Sequence, residues 1–396
     1  MLENRTVISY MNAFSQGKSG GDVIFAEVFK RQSLGNHYVV TSLLGKEFCL
    51  AMGLKDPFFV ITTHEKRASN IIYLYIKRIF LGIIKSWSLP KPDILYVTSD
   101  ILPDVLPALA LRIKYLYSSR KPVWIQKNYH INQKDRVVSY YAQKISLWLL
   151  SKLSDLNITC SLKSRDDFIK AGLSSSKMNV VFPGIDLDHI HSVSPSEKGF
   201  DGVYLGRLAI SKGIYDIVPI WKKVVTVFPD VRLGIIGEGS SEIIAELKNE
   251  IEKAGLNGNI EILGFLNDKE ALGILKSSRI FVFPSHEEGF GIVIAEAMAC
   301  GCVTVAYDLP VYRGIFQNYI AKAPCFDKGA FADAVISLFQ DKGGMRQQTE
   351  KGMDLVSRFS WQRASEEEMK LIESVIAKAP PIFHEDPLNA SWSRRQ

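Results

Sequence analysis

Residues 279–301 read RIFVFPSHEEGFGIVIAEAMACG. Behind Arg279 stand four β-branched or aromatic residues, the composition of a buried strand. The run ends at Pro284, which has no N–H to offer a ladder. The loop SHEEGFG follows, then IVIAEAMAC, which predicts a helix over 292–300 closed by Gly301 just past its cap. Glu288 stands in the loop beside the helix start, and Glu296 lies about two turns along. They are eight positions apart, so both can address one side. A globular chain rarely sets an acid on an otherwise apolar helix unless something pairs with it. The helix start favours an anion such as a pyrophosphate, and a carboxylate further along suits two neighbouring hydroxyls, as on a ribose. The plainer readings are an internally paired helix acid for Glu296 and a solvated or supporting acid for Glu287.

The same strand–loop–helix unit recurs around this stretch. Gly202–Leu205, Val231–Ile236, Ile260–Leu263 and Val303–Tyr307 are strand-like, with helices predicted over Gly213–Val227, Ser241–Ala254 and Asp268–Lys276. An earlier series comprises Thr6–Tyr10, His37–Thr41, Phe58–Thr62, Ile94–Thr98, Val123–Gln126 and Leu156–Cys160. Helical patterns over Leu106–Tyr115 and Ser139–Ser151 separate some of these. Alternating strands and helices predict two parallel α/β layers, with a linker near Pro183–Ser196. Two such layers face each other across a cleft, and ligands bind outside the carboxyl ends of the strands.

The bulk numbers agree with two cores: 396 residues, 47% hydrophobic and 23% charged. No stretch of eighteen uncharged apolar residues occurs, so no spanning helix is expected. MLENRTVISYMNAF has no basic region followed by an apolar core, so no secretory signal is expected either. Five scattered cysteines, with Cys300 and Cys302 lacking a partner at metal spacing, read as buried small hydrophobes in a reducing compartment. A cytoplasmic protein is expected. The net charge of +6 conceals a split: residues 1–185 carry 25 Lys and Arg against 13 Asp and Glu, and the remainder is acidic. The basic half suits phosphate, nucleic acid or an anionic membrane, and no nucleic-acid motif accompanies it. Asn70–Leu89, NIIYLYIKRIFLGIIKSWSL, carries three cations and no acid. It reads either as an interfacial helix on the inner face of a membrane or as a core helix with a basic edge. The tail 379–396 has little periodicity and is expected to be mobile, its Asn389-Ala-Ser being a chance sequon.

Two further loops bear chemistry. GRLAISKG (206–213) follows the strand GVYL and places Arg207 and Lys212 at a carboxyl end, where a guanidinium and an ammonium suit a diphosphate. VRLGIIGEGS (231–240) ends a strand on Gly237-Glu238-Gly239, where backbone can approach a ligand. Each loop alone is equally an ordinary turn. In order and spacing, GRLxxxKG, the GxG turn and PSxxEGFGxxxxEAMAxG closely resemble the retaining nucleotide-sugar transferases of glycosyltransferase family 4. The resemblance covers most of the chain, including the Pro183-Gly184-Ile185-Asp186 turn and FSWQRASEEEMKLIESV (359–375).

That resemblance implies the α/β GT-B fold, two Rossmann-like doubly wound domains facing across a cleft. Residues 1–185 would bind the acceptor and 186–360 the nucleotide-sugar, with 361–378 a helix crossing back to the first domain. It implies that Arg207 and Lys212 bind the donor diphosphate, that Glu288 accepts a sugar hydroxyl and that Glu296 accepts the ribose hydroxyls. Phe290 and Gly291 would hold sugar and phosphate through their amides. Gly20, Gly21 and Gly237 would let backbone approach the donor, and residues after Gly264 would lie against the base. The family's loop histidine falls to His130, about two residues late after VWIQ, with His64 a weaker rival. Where many members continue with a Gly-Gly loop, this chain has CVTVAYDLPVYRG. The implied activity is retaining transfer of a hexosyl unit from a nucleotide-sugar to a hydroxyl of a glycan or lipid-linked acceptor in envelope or extracellular polysaccharide synthesis. No obligatory metal and no cofactor are expected. A nucleotide-sugar epimerase of the same fold and a non-catalytic nucleotide-sugar binder remain as alternatives.

Overall fold

The computed structural model describes residues 4–14, 19–55, 57–65, 70–118, 121–132, 134 and 136–378. The tail 379–396 with its sequon, and residues 15–18, lie outside the described residues. The first sheet has seven strands: β1 (Thr6–Met11), β2 (Asn36–Thr41), β3 (Phe58–Ile61), β4 (Ile94–Val97), β5 (Val123–Asn128), β6 (Leu156–Thr159) and β7 (Met178–Val180). The second has six: β8 (Gly202–Leu205), β9 (Leu233–Ile236), β10 (Ile260–Gly264), β11 (Ile280–Phe283), β12 (Val303–Tyr307) and β13 (Ala321–Ala323). Their orders are β3-β2-β1-β4-β5-β6-β7 and β10-β9-β8-β11-β12-β13. Every pairing is parallel. Both sheets are covered by helices, which explains why IFVF and VTVAY are buried at every position and apolar at all but Thr304. The two-layer α/β architecture expected from the sequence is therefore present.

Each sheet reverses its order once, between β1 and β4 and between β8 and β11. The loops after β8 and β11 are GRLAISKG and PSHEEGFG, so the two charged motifs meet at a topological switch point. Gly213 and Gly237 make that meeting possible. Gly213 has φ +69° and a Cβ there would lie 1.8 Å from Pro284 O. Gly237 has φ +147° and a Cβ there would lie 1.8 Å from Gly206 O. No L side chain fits either position.

Several expectations need correction. The helix predicted over Gly213–Val227 begins only at Ile217, after short 3₁₀ turns Ile210–Lys212 and Ile214–Asp216 on either side of left-handed Gly213. Gly20 and Gly21 open helix Gly20–Phe29, whose start is closed by a capping box between Ser19 and Asp22. Short β7 and β13 had no readable pattern at three residues each. Cys325 is exposed, unlike the other four cysteines. Strand β5 runs two residues past Gln126, because the charge on Lys127 is neutralised from far along the chain. Lys127 Nζ lies 2.6 Å from Glu368 Oε2, and both side chains are buried. Tyr96 OH donates to the same carboxylate. Glu368 belongs to helix Trp361–Lys378, which also packs against helix Gly20–Phe29, Ser365 Oγ donating to Val28 O at 2.8 Å. The chain's last described helix thus returns to the first sheet.

Candidate active site

Lys212, at the end of the β8 loop, donates from Nζ to Glu288 Oε1 at 2.7 Å and to Glu287 O at 3.1 Å. Ser285 Oγ also donates to Glu288 Oε1, at 3.1 Å. His286 N donates to Ser211 O at 3.0 Å, fastening the two loops backbone to backbone. His286 Nε2 lies 2.8 Å from Asp216 Oδ2, and Asp216 is further held by Tyr307 OH and Lys328. Burial would raise the Asp216 carboxyl, yet His286, Lys328 and Tyr307 bonding to it hold it below the usual carboxylate range. A rigid polar knot therefore sits behind the EEGFG loop.

Arg207 is exposed, and its guanidinium has no side-chain partner among the described residues. The fixed pair stands by the loop that leads into helix Ile292–Ala299, and the uncommitted Arg207 stands on the same β8 loop as Lys212. That helix begins on left-handed Gly291, φ +99°, with no side chain capping it. The amides of Phe290, Gly291, Ile292 and Val293 meet no acceptor among the described residues, Ile294 N being the first to donate, to Gly291 O at 3.0 Å. Phe290 itself is buried against Phe182, Phe316 and Phe359, which holds this turn in place. An uncapped helix start with nearby cations is suited to an anion.

Glu296 lies on the same helix, half-buried, with no hydrogen bond or ion pair to a described residue. The reading of an internally paired acid is therefore overturned. Burial pushes its carboxyl up to about 8, with further repulsion from Asp268 and Glu27. These are not the charges around Glu288, so the two acids do not form one cluster. Glu27 stands on helix Gly20–Phe29, so Glu296 faces the first layer across the cleft. A desolvated carboxyl without a cation is poised to accept hydroxyl donors.

The first layer also contributes. Because β5 ends at Asn128, His130 follows the strand by two residues and the apparent lateness disappears. Desolvation lowers its pKa, and the charges of Glu287, Lys212, Arg136 and Glu288 act on it in turn. His130, an exposed residue, thus stands within electrostatic reach of the Lys212–Glu288 pair, without a hydrogen bond to either among the described residues. His64 stands exposed after edge strand β3. Glu287 is not a solvated acid: Arg136 Nη2 reaches its Oε1 at 2.6 Å from the first layer. A Cβ on Gly20 would lie 3.8 Å from Ile292 Cδ1, and one on Gly21 would strike the Tyr129 ring. Both glycines therefore sit at the cleft, opposite the helix start. Gly237 lies against the β8 loop rather than at the Lys212–Glu288 pair.

Three participants escaped the sequence reading. Arg136 and Cys160 touch the EEGFG loop across the cleft, Cys160 Sγ lying 3.3 Å from Gly289 O. No local signal marks either one. The unfamiliar stretch DLPVYRG forms helix Pro310–Ile315 and lays Tyr312 beside Gly291. The Tyr312 hydroxyl is buried without a partner among the described residues. Among the described residues no group of three or more His, Cys, Asp or Glu is placed to hold a metal.

Fold and site together define a two-layer GT-B chain with its cation–carboxylate pair in the interlayer cleft. Residues 188–354 match the family described as Glycosyl transferases group 1. A phosphatidyl-myo-inositol mannosyltransferase of Mycobacterium leprae is 28% identical over 210 residues, 50% of this chain and 54% of that one. A glycogen synthase of Mycobacterium tuberculosis is 26% identical over 292 residues, 71% of this chain and 68% of that one. The match thus spans about half the length of the mannosyltransferase. Anabaena HepE, solved in complex with UDP and glucose, superimposes with a TM-score of 0.74 at 17% identity, covering 94% of this chain and 100% of that one. At that identity the likeness concerns the fold.

Proposed function

We propose that this chain is a retaining glycosyltransferase of the family 4 type, moving a hexosyl unit from a nucleotide-sugar to a hydroxyl of a glycan or lipid-linked acceptor in envelope or extracellular polysaccharide synthesis. The observation that carries the reading is the Lys212–Glu288 pair beside an uncapped helix start, with Arg207 uncommitted. In this proposal residues 1–185 bind the acceptor, residues 186–360 bind the donor, and residues 361–378 tie the two together.

Cleaving the sugar–phosphate bond develops negative charge on the diphosphate and oxocarbenium character on the sugar. Arg207, Lys212 and the amides of Phe290 and Gly291 are pre-placed charges and dipoles for that diphosphate, which is electrostatic catalysis. Glu288 accepts a sugar hydroxyl and orients the ring. Glu296 accepts the ribose hydroxyls. Gly20, Gly21 and Gly237 keep the cleft walls low enough for the donor, and His130 approaches the sugar from the acceptor side. The acceptor hydroxyl attacks the face the diphosphate leaves, and its proton passes to the departing phosphate oxygen. No metal step is invoked; full activity after exhaustive chelation is the expected result. The cleft excludes water, which limits hydrolysis.

A thermal-shift screen of UDP-, GDP- and ADP-sugars tests the donor assignment, since a bound ligand stabilises by mass action. The absence of any shift would sink it. NMR of the product's anomeric centre tests retention, an inverted centre refuting it. Donor turnover without any acceptor product would instead indicate an epimerase, and binding without turnover a non-catalytic binder.

A further inference from the structure

Helix Ile71–Trp87 is amphipathic in the inverted sense. Its buried positions are Leu74, Arg78, Gly82 and Ser86, mostly polar or small. Its outward stripe is Tyr73, Ile76, Phe80, Ile84 and Trp87, each more than half exposed. The buried polar groups are satisfied inside: Arg78 donates to Asn12 O and Phe14 O, and Tyr10 OH donates to Ser86 Oγ at 3.1 Å. Helix Val137–Leu153 repeats the arrangement. It buries Gln143, Ser146, Leu147 and Leu150, and turns Val138, Tyr141, Ile145 and Trp148 outward, all more than half exposed. Helix Leu102–Lys114 lies between the two and touches both, so the three form one layer over the first sheet. Soluble monomers rarely expose so much contiguous apolar surface without a use for it.

The charges on this layer have one sign. Neither inverted helix contains an acid, and beside the buried Arg78 they carry Lys77, Lys85, Lys144 and Lys152. The one acid of the middle helix, Asp104, is buried. Neighbouring Glu65 and Asp155 are paired with Lys77 and Arg112. Lys114 Nζ lies 5.5 Å from the Trp87 ring and Lys144 Nζ 4.8 Å from the Tyr140 ring, so cations and aromatics interleave. A second copy of the chain docked here would set cation against cation. An anionic bilayer offers acyl chains to the apolar stripes and phosphates to the lysines.

We propose that the first layer docks edge-on to an anionic lipid surface through both helices, Ile71–Trp87 and Val137–Leu153, rather than through one amphipathic segment. Helix Val137–Leu153 starts beside Arg136 and a few residues after His130, at the cleft rim. Docking therefore holds the cleft mouth at the headgroup level. Its consequence for catalysis, delivery of a lipid-linked acceptor to His130, rests on the transferase reading, whereas the docking itself does not.

The test is co-sedimentation of the full chain with vesicles of pure phosphatidylcholine and of phosphatidylcholine with phosphatidylglycerol in equal parts. The wild type is expected on the mixed vesicles only, with binding that weakens as salt rises. Tyr73→Ser with Phe80→Ser, and separately Tyr141→Ser with Trp148→Ser, are each expected to reduce partition about tenfold or more. Both variants should keep the wild-type melting temperature, since the replaced side chains touch solvent. Four outcomes would overturn the proposal: no partition of the wild type, equal partition to neutral vesicles, unaltered partition in either double variant, or self-association abolished by the same substitutions. Vesicle binding without any nucleotide-sugar thermal shift would leave the docking standing and remove the enzyme reading.

Discussion

Helix Ser241–Lys253 in the second layer and helix Ile71–Trp87 in the first cover parallel sheets of the same topology. The former buries Leu247 and Ile251 and turns glutamates and lysines outward. The latter buries an arginine and a serine and turns aromatic and aliphatic side chains outward. Topology is therefore indifferent to what the outer helix face displays. It fixes where loops converge, and the outer faces are free to choose partners. In the second layer the chemistry is concentrated in two loops at the switch point; in the first it is spread over the rim and the outer helices.

The sharpest challenge to this division concerns Glu368, which binds the C-terminal helix into the first layer. Glu368→Ala strands Lys127 in a buried setting and is expected to cost about 3–5 kcal/mol. Thermal unfolding measures it, and Glu368→Gln, which keeps a hydrogen-bonding oxygen, should recover part of the loss. An unchanged melting temperature would mean the two layers are not joined there. Next come the cations of the second layer. Arg207→Ala or Lys212→Ala is expected to lower kcat by about 10²–10³ under saturating donor, the scale for losing one pre-placed charge at a developing anion. Glu288→Ala should likewise lower mainly turnover. If instead only KM changed, these groups would be binding the ground state alone.

Glu296 separates binding from turnover. Glu296→Ala should chiefly weaken donor affinity. Its carboxyl is pushed up to about 8 by burial, so the native state holds a proton that the unfolded chain releases. Its ionisation therefore costs stability as pH rises from the ordinary carboxylate range toward about 8. Glu296→Gln is expected to melt above the wild type at pH 8.5 and to converge with it at pH 5. Ribose hydroxyls favour the ionised form, so donor affinity should rise with pH up to that same region and flatten in the variant. Calorimetry in buffers of different ionisation enthalpy would detect the released proton; its absence would remove the ribose assignment. The smallest effect is expected at Arg136. Its half-exposed bridge to Glu287 is worth about 0–1 kcal/mol, so Arg136→Ala should scarcely move the melting temperature.

Much of this arrangement was readable along the chain. The fold class, the two second-layer loops that bear Arg207, Lys212 and Glu288, and the helix stop at Gly301 follow from short-range patterns. Strand, turn and helix signals act over a few residues, so a single sequence carries them. Other features were misread for an identifiable reason. Strand β5 seemed to stop at Gln126 because a lysine next in line is a poor strand residue, and its neutralising partner lies 241 positions away. Glu287 read as either solvated or supporting, and the sequence could not choose because Arg136 is 151 positions off. For Glu296 the sequence left a paired helix acid open beside a hydroxyl acceptor, and only the fold leaves it half-buried and facing other acids.

Order and spacing of motifs along the chain sufficed to specify two parallel layers and which loops bear charge. The folded chain alone settled which charge meets which, and on which side an apolar stripe ends up. Helix Ile71–Trp87 has an equally regular pattern whichever face is turned inward. The choice was made by Asn12, Phe14 and Tyr10, whose buried backbone and hydroxyl groups required Arg78 and Ser86 as partners. Satisfying those polar groups inside left the aromatic face outside.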